Sequence, residues 1–257
     1  MPAVARVHDA LGFCFNIVGD DESSRFLLRL AFSDLPLGYG SVTTLDVANY
    51  VDTRTKNRLT ELLSDVTIGA ITAAGGNVLL HAGAVSRDDG ATAVLCGASG
   101  SGKSTLTAGL VTAGWVYVTD ETVCLNPETL RITPFQRPLS IKVGSHEVLA
   151  HLRPDPMYAG SWVVPPSALK GPPLPENPLL PELLIFPTYR LGARLEVTAI
   201  SPGEAAFLAG TDSSRLADTC EPLASLARLS RRAPAYRVVH GDLDVAVRAV
   251  SDLLAAA

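Results

Sequence analysis

Two spacings of apolar residues alternate along the chain and separate predicted strands from predicted helices. Near the start, short apolar runs between Gly and Asp turns predict strands over Gly12–Val18 and Arg25–Phe32. The next apolar residues follow an approximately helical spacing that ends at Gly75 and Gly76, which predicts a helix. The members of that pattern are Leu59, Leu62, Leu63, Val66, Ile68 and Ile71.

The middle of the chain alternates between strand and helix. A buried strand is predicted over Asn77–Ser86, and a second, antiparallel strand over Ala91–Gly97. The intervening Arg87–Gly90 contains Asp-Gly, which suits a tight hairpin turn. A helix is predicted from Lys103 to Gly114, where the glycine is placed as a C-terminal cap, and a further strand over Trp115–Leu125.

The last part of the chain contains a proline-rich segment and then alternates again. One or two strands are predicted over Arg131–Val143. The segment Arg153–Pro187 holds ten prolines and is predicted to be mostly a mobile loop, because proline blocks helix interiors and central strands. The remaining predictions are a strand, helices, a strand and a helix, over Arg194–Ser201, Pro202–Arg232, Ala235–His240 and Asp242–Ala256.

Composition restricts the class of protein. With 257 residues, 47% hydrophobic and 18% charged, the chain has enough apolar residues for a sizeable core. The net charge of −5 does not favour a nucleic-acid partner, and the only dense basic spot, Arg228, Arg231 and Arg232, is expected at a solvated helix end. No secretory signal and no apolar run of membrane-spanning length is seen, so we expect a cytoplasmic protein without a membrane partner.

A glycine-rich motif between the predicted strand and helix is typical of phosphate binding. Gly97, Gly102, Lys103 and Ser104 satisfy the pattern GxxxxGK[ST]. Glycines permit positive φ angles and a close approach of backbone N–H groups to phosphate oxygens, and the helix N-terminus adds partial positive charge. We therefore expect Mg²⁺-bound ATP to contact the loop and first helical turn, with Lys103 on the phosphates and Ser104 on the metal. The predicted binding residues are Gly97, Ser99, Gly100, Ser101, Gly102, Lys103, Ser104 and Thr105.

Two carboxylates follow the next apolar run. If that run is a strand beside the phosphate-loop strand, its end brings Asp120 and Glu121 toward the phosphates, where one can hold Mg²⁺ and the other can accept a proton. A solvent-facing acidic turn or a helix cap is the alternative. His81 on the preceding strand is by itself more typical of a structural histidine, and Arg137 and Lys142 are either surface residues or sources of positive charge for a transferring phosphoryl group.

The stretch Leu79–Lys142 resembles the HPr kinase/phosphorylase superfamily, in particular the HPr-kinase-like proteins associated with peptide modification, including lasso-peptide kinases. The resemblance rests on His81 before the phosphate loop, on the loop itself, and on the acidic pair at the end of the next strand. It implies that Asp120 is the general base, that His81 lies beside the phosphates, and that Glu121 supports the metal.

The resemblance also implies a fold and an activity. The expected fold is α/β, a P-loop kinase core related to phosphoenolpyruvate carboxykinase with a mixed sheet and helices (residues 56–257), preceded by a small β-rich N-terminal segment (residues 1–55). The expected activity is ATP-dependent phosphorylation of a Ser or Thr hydroxyl in a peptide or small protein, such as the precursor of a modified peptide. A small-molecule hydroxyl kinase, or a nucleotide-driven ATPase or switch without an acceptor, is the alternative.

Two departures from the family limit that expectation. The second acid is Glu where the bifunctional enzymes have Asp, and the proline-rich segment occupies the region of their glycine- and arginine-containing C-terminal loop. Neither HPr as the acceptor nor the phosphorylase reaction is therefore implied. Because a phosphate loop binds phosphates and not the base, the sequence does not select a base, and it leaves homo-oligomer formation open.

Overall fold

The computed structural model describes residues 6–19, 32–50, 58–154, 161–214 and 221–256. Within these ranges the architecture is α/β, with helices packed against mixed sheets. The strands are β1 (His8–Ala10), β2 (Phe13–Val18), β3 (Thr43–Asp46), β4 (Val78–Leu80), β5 (Ala82–Ser86), β6 (Ala91–Cys96), β7 (Val116–Thr119), β8 (Val123–Leu125), β9 (Ile132–Thr133), β10 (Leu139–Lys142), β11 (Ser161–Val164), β12 (Leu180–Tyr189), β13 (Glu196–Ile200), β14 (Ser213–Ser214) and β15 (Ala235–His240). The helices are α1 (Arg58–Ala73), α2 (Lys103–Thr112), α3 (Pro202–Thr211), α4 (Pro222–Arg232) and α5 (Leu243–Ala255).

The central sheet has the strand order β13-β15-β12-β6-β5-β7. β12 runs parallel to both β6 and β15, whereas β5 is antiparallel to β6 and β7. The hairpin predicted at Arg87–Gly90 is confirmed, since Gly90 adopts φ +92° and the Arg87 N–H donates to the Ala91 carbonyl at 2.9 Å. The mixed sheet expected from the sequence is therefore present.

The position of β7 corrects one expectation. β7 does not lie beside β6, because β5 is inserted between them and the connection through α2 skips one strand. Since β5 is antiparallel to both neighbours, β6 and β7 still run in the same direction. Their carboxyl ends therefore meet at the same edge of the sheet, although they are two strands apart.

Two segments that were each predicted as one strand are divided between two sheets. The segment Asn77–Ser86 breaks at His81, with β4 in a smaller sheet of order β14-β4-β8-β9 and β5 in the central sheet. The segment Trp115–Leu125 breaks in the same way after Thr119, with β7 in the central sheet and β8 in the smaller one. Because β4 pairs with β8 and β5 with β7, the two breaks lie next to each other.

The proline-rich segment is more regular than predicted. It contains β11, a 3₁₀ turn over Pro166–Leu169 and the central strand β12, so the expectation that Arg153–Pro187 is mostly loop is wrong for much of its length. Residues 155–160 lie outside the described part. Two prolines of β12 are tolerated because the register with β6 shifts after Pro181, and because the pairing with β6 ends at Ile185, before Pro187.

The apolar core fills both faces of the central sheet. One face packs against α2, α5 and the β10–β11 hairpin, and the other packs against α3, α4 and the smaller sheet. α2 and α5 approach closely at Gly109, where a Cβ atom would lie 2.9 Å from Leu243 and Val247 side-chain carbons. The predicted helices and strands of the C-terminal part are confirmed as β13, α3, α4, β15 and α5.

The N-terminal part forms a three-stranded sheet of order β1-β2-β3. The predicted strand at Gly12–Val18 is confirmed as β2, and the predicted helix before Gly75 is confirmed as α1. The predicted strand Arg25–Phe32 lies outside the described residues, apart from the buried Phe32. α1 packs on this sheet together with Phe135 and Val163, so a boundary near residue 55 stays a prediction.

Candidate functional site

The glycine-rich loop joins β6 to α2 at the carboxyl edge of the central sheet. Gly97, Gly100 and Gly102 have φ angles of +142°, +89° and +101°, a region that side-chain-bearing residues rarely adopt. α2 begins at Lys103 without a side-chain cap, because its N-cap residue is Gly102. The first N–H groups of the helix therefore have no side-chain acceptor, an arrangement that suits an anion.

The side chain of Lys103 lies inside the loop. It is 6% exposed, and its ammonium donates to the carbonyl oxygens of Gly97 and of Ala98, the latter at 3.2 Å. Burial lowers the pKa of this ammonium, and the negative charges of Asp212 and then Asp120 oppose that shift. The cation is thus held at the loop among carboxylates rather than on the surface.

Hydroxyl groups of the loop and first helical turn have different partners. Lys142 donates to the Ser99 hydroxyl at 3.1 Å, and the Thr105 and Ser145 hydroxyls are 2.6 Å apart. The Ser104 hydroxyl lies beside the Asp120 carboxylate and lowers the pKa of that group. The Ser101 hydroxyl oxygen is buried without a hydrogen-bond partner.

Asp120 directly follows β7 and is 2% exposed. Its Oδ1 atom is buried and has no hydrogen-bond partner. Burial raises the pKa of the carboxyl group to about 7, against the opposing effects of the Arg137 charge, the nearby Ser104 hydroxyl and the Lys103 charge, whereas the Glu121 charge adds to the rise. A buried carboxyl oxygen that lacks a donor is costly, which makes this atom a candidate for contact with a ligand.

Glu121 lies in a different environment although it is the next residue. Its Oε1 is 3.2 Å from His81 Nδ1 and its Oε2 is 3.2 Å from an Arg137 guanidinium nitrogen. Burial alone would raise its pKa, but the His81 hydrogen bond and the Arg137 charge outweigh burial and lower the pKa below its usual value. About a third of the side chain is exposed, so this carboxylate faces the open side of the site.

Backbone and side-chain contacts hold Arg137 beside β7. The Tyr117 hydroxyl of β7 donates to the Arg137 carbonyl at 2.7 Å, and the Gln136 amide donates back to the Tyr117 carbonyl at 3.0 Å. The Arg137 side chain is buried and its Nε has no hydrogen-bond partner. The β9–β10 connection therefore places the buried Arg137 cation beside the carboxylates of Asp120 and Glu121.

His81 occupies the break between β4 and β5, and its N–H donates to the Asp212 carbonyl at 2.7 Å. The structure thus brings together the predicted residues His81, Lys103, Ser104, Asp120, Glu121 and Arg137. It also adds groups that the sequence analysis did not assign, namely Asp212 at the end of α3, Ser145 and Tyr189. No motif marks them, since they come from distant elements that only the tertiary fold places at this edge.

The donor set fits Mg²⁺ held partly by phosphate. Within the described ranges, no group of three or more His, Cys, Asp or Glu side chains forms a metal site by itself. Asp120 and Glu121, with the Ser104 hydroxyl, provide two carboxylates and one hydroxyl oxygen. Mg²⁺ commonly binds to one or two carboxylates and completes its coordination with waters and substrate phosphates, which agrees with Glu121 and Ser104 as ligands and leaves the unpartnered Asp120 Oδ1 for a different contact.

No family model and no curated protein matches the chain. In the part of the chain that the structure describes, no helix has the length and apolar character needed to cross a membrane.

Proposed function

We propose that the chain is an ATP-dependent kinase of the HPr-kinase-like type, with a P-loop kinase core, that transfers the γ-phosphoryl group to a Ser or Thr hydroxyl of a peptide or small protein. One observation carries the proposal. The buried Asp120 Oδ1 has no partner, and its carboxyl group lies beside Ser104 in the first turn of the helix that follows the glycine-rich loop. This contact supports a site in which Asp120 would accept a proton beside a loop that would bind phosphate.

The loop would bind the triphosphate. The positive φ angles of its glycines allow backbone N–H groups to point at phosphate oxygens, and the uncapped start of α2 adds further donors. Lys103 would leave the Gly97 and Ala98 carbonyls to contact the β- and γ-phosphates, for which it has the reach of a long and flexible side chain. Its charge would offset negative charge on the transferring group.

Asp120 would accept the proton of the attacking hydroxyl. The acceptor oxygen forms a bond to the γ-phosphorus, the bond from that phosphorus to the bridging oxygen breaks, and ADP leaves with the electron pair. The proton released from the hydroxyl passes to the Asp120 carboxylate. A pKa of about 7, raised by burial, makes this carboxyl group a stronger base than an exposed Asp.

The second carboxylate would work with the metal. Ser104 and Glu121 would hold Mg²⁺, and the bound ion would supply positive charge that offsets the negative charge of the phosphates. His81 and Arg137 fix both oxygens of Glu121, and this orients its lone pairs before any ligand arrives. Arg137 is also close enough to influence the Asp120 carboxyl, so one cation acts on both carboxylates.

The test is to follow the γ-phosphate of labelled ATP with Mg²⁺, in the presence and absence of Ser- and Thr-containing peptides. We expect label on a peptide hydroxyl. Lys103→Ala should lose most of this phosphoryl transfer, because the positive charge that would contact the transferring group is removed. Lys170→Ala, which removes an exposed lysine, is the matched control. Label that appears only as inorganic phosphate would favour an ATPase, and normal turnover in Lys103→Ala would overturn the assignment of the loop.

A further inference from the structure

The glycine-rich loop has two flanks, and hydrogen bonds close one of them. On the side of the β10–β11 hairpin, Lys142 bridges to Ser99 and Ser145 bridges to Thr105, at 3.1 and 2.6 Å. Toward β7 the site is occupied by the carboxylates and by Arg137. Among the described residues, the side of β6 where β12 ends is therefore the direction in which a nucleotide with its terminal phosphate beside Asp120 can extend.

Tyr189 is the last residue of β12 and lies directly against the loop. Its N–H donates to the Ser101 carbonyl at 3.1 Å, and its Cβ would be 3.5 Å from a Cβ placed on Gly102. The residue is 49% exposed, so about half of its surface is open to solvent. Beside it, Leu191 is 89% exposed, so the flank presents an aromatic ring and an apolar side chain to solvent.

A buried histidine fixes the ring of Tyr189. His240 pairs with Tyr189 across β15 and β12, and the two ring centroids are 5.7 Å apart at an interplanar angle of 63°, an edge-to-face contact. The His240 ring is 3% exposed and donates from Nδ1 to the Asp242 carbonyl at 3.1 Å. The Arg190 N–H donates to the His240 carbonyl at 2.8 Å, which secures the turn that follows. The ring is therefore held in place while part of its surface stays open.

We infer that the ring of Tyr189 is the stacking surface for the base of the bound nucleotide, and that it accepts purines in preference to pyrimidines. The inference rests on the proposed function. Aromatic rings stabilise bases by stacking on their faces, and the larger face of a purine gains more contact than that of a pyrimidine. Because the ring offers no hydrogen-bond pattern to a stacked base, adenine and guanine are both accepted.

The experiment measures the affinity of the full chain for MgATP, MgGTP, MgCTP and magnesium tripolyphosphate, which lacks a nucleoside. We expect Tyr189→Ala to weaken MgATP and MgGTP binding about 5- to 100-fold, the usual consequence of removing a base-stacking aromatic. Tripolyphosphate affinity stays unchanged, which also shows that the loop is intact. Tyr189→Phe should bind nucleotide like the original chain. Tyr189→Leu, which keeps an apolar side chain against the loop, should show the same loss of nucleotide affinity as Tyr189→Ala.

Tyr39→Ala is the matched control, since Tyr39 is 88% exposed in the N-terminal part of the chain. Equal affinity of the original chain for MgATP and tripolyphosphate, or unchanged MgATP affinity in Tyr189→Ala, overturns the stacking role and leaves the proposed kinase intact. A matched loss of both ligands in Tyr189→Ala also overturns it, since the ring would then only support the loop. Binding of neither ligand by the original chain removes the proposed function and this inference together.

Discussion

Asp120 and Glu121 are adjacent residues at the end of β7, yet their carboxyl groups lie in two different regions. The Asp120 region is buried, contains the Ser104 hydroxyl and leaves one carboxyl oxygen without a donor. The Glu121 region is partly open and pairs the carboxylate with His81 and Arg137. Burial dominates in the first region and raises the pKa of Asp120, whereas the His81 hydrogen bond and the Arg137 charge outweigh burial in the second and lower the pKa of Glu121.

The difference shows how one dipeptide can supply two chemical roles. A carboxyl group with a raised pKa is suited to take up a proton near neutral pH, and one with a lowered pKa stays ionised and can hold a cation. The two environments arise where the chain leaves the central sheet after β7. At this point Asp120 lies inward, whereas Glu121 faces His81, which lies where the chain passes from β4 to β5. Substitutions that affect only one of the two regions should therefore have different consequences.

The largest expected effect is on the rate of phosphoryl transfer in Asp120→Asn. This change keeps the size of the side chain but removes the basic oxygen. We expect MgATP affinity to stay nearly normal and the single-turnover rate to fall about 10²- to 10⁴-fold, the usual contribution of a general base. Rapid-quench kinetics and nucleotide titration measure the two quantities. Lost nucleotide binding in Asp120→Asn, with only a lost rate in Glu121→Gln, would reverse the two roles.

The same pair should respond in opposite directions when stability is measured without nucleotide or magnesium. A carboxyl pKa raised from 3.8 to about 7 means that burial of the ionised form costs the native state roughly 4 kcal/mol above pH 7. Asp120→Asn should therefore be more stable than the original chain at pH 8, by up to that amount. The gain should shrink as the pH falls from 7 to 4, where the native carboxyl group is protonated.

Glu121→Gln should behave in the reverse way. The pKa of Glu121 is lowered in the folded state, so its ionised form stabilises the fold above the usual pKa of 4.5, and this contribution is lost at lower pH. The variant should be less stable than the original chain at pH 8 and similar to it at low pH. Denaturant titrations from about pH 2 to 8 check both variants, since the contribution of Glu121 is lost only below its usual pKa of 4.5, and the exposed Asp88→Asn is the control. A stability difference from the original chain that does not change with pH, or one of the same sign in both variants, would refute the assignment of Asp120 and Glu121 to two different environments.

The local elements of this site could be predicted from the sequence, because their signals are short. The motif at Gly97–Ser104 and the hairpin at Arg87–Gly90 depend on residues that are close in the chain, and both flanking elements form as expected. The apolar runs also marked where strands occur. They did not show that the runs Asn77–Ser86 and Trp115–Leu125 are each divided between two sheets. Periodicity indicates which residues are buried, but it contains no information on which strand pairs with which.

The tertiary features of the site had no such signal. Asp120 is buried because β8 turns away from the central sheet after β7, and this could not be read from an Asp-Glu dipeptide. Asp212 and Tyr189 lie beside the loop but belong to elements distant in the sequence. Tyr189 was also not predicted there, because the prolines of its segment predicted a loop where β12 forms. The pKa values in the site therefore depend on burial and on tertiary contacts, which the sequence does not show. Residue type and spacing identify only the glycine-rich loop.

A smaller effect is expected on the magnesium requirement. Glu121→Gln removes one metal-supporting oxygen, and we expect the magnesium concentration for half-maximal nucleotide binding to rise about 10- to 100-fold. Titration of magnesium at fixed ATP measures it, and Glu128→Gln, at an exposed position, is the control. Asp120→Asn should show a smaller change in this titration. An equal change in both variants would mean that both carboxylates hold the metal.

The smallest expected effect concerns His81, and it separates two roles for that residue. In the structure His81 contacts Glu121, with about a third of each side chain exposed, and Arg137 remains on the other oxygen of the carboxylate. Partly exposed ion pairs contribute at most about 1 kcal/mol, so His81→Asn should raise the magnesium requirement no more than about 5-fold and should leave the single-turnover rate at saturating magnesium nearly unchanged. His151→Asn, at an exposed histidine, is the control. A 10²-fold fall in that rate would show instead that His81 contacts the transferring phosphoryl group, as the family resemblance implies, and that its pairing with Glu121 is broken when the nucleotide binds.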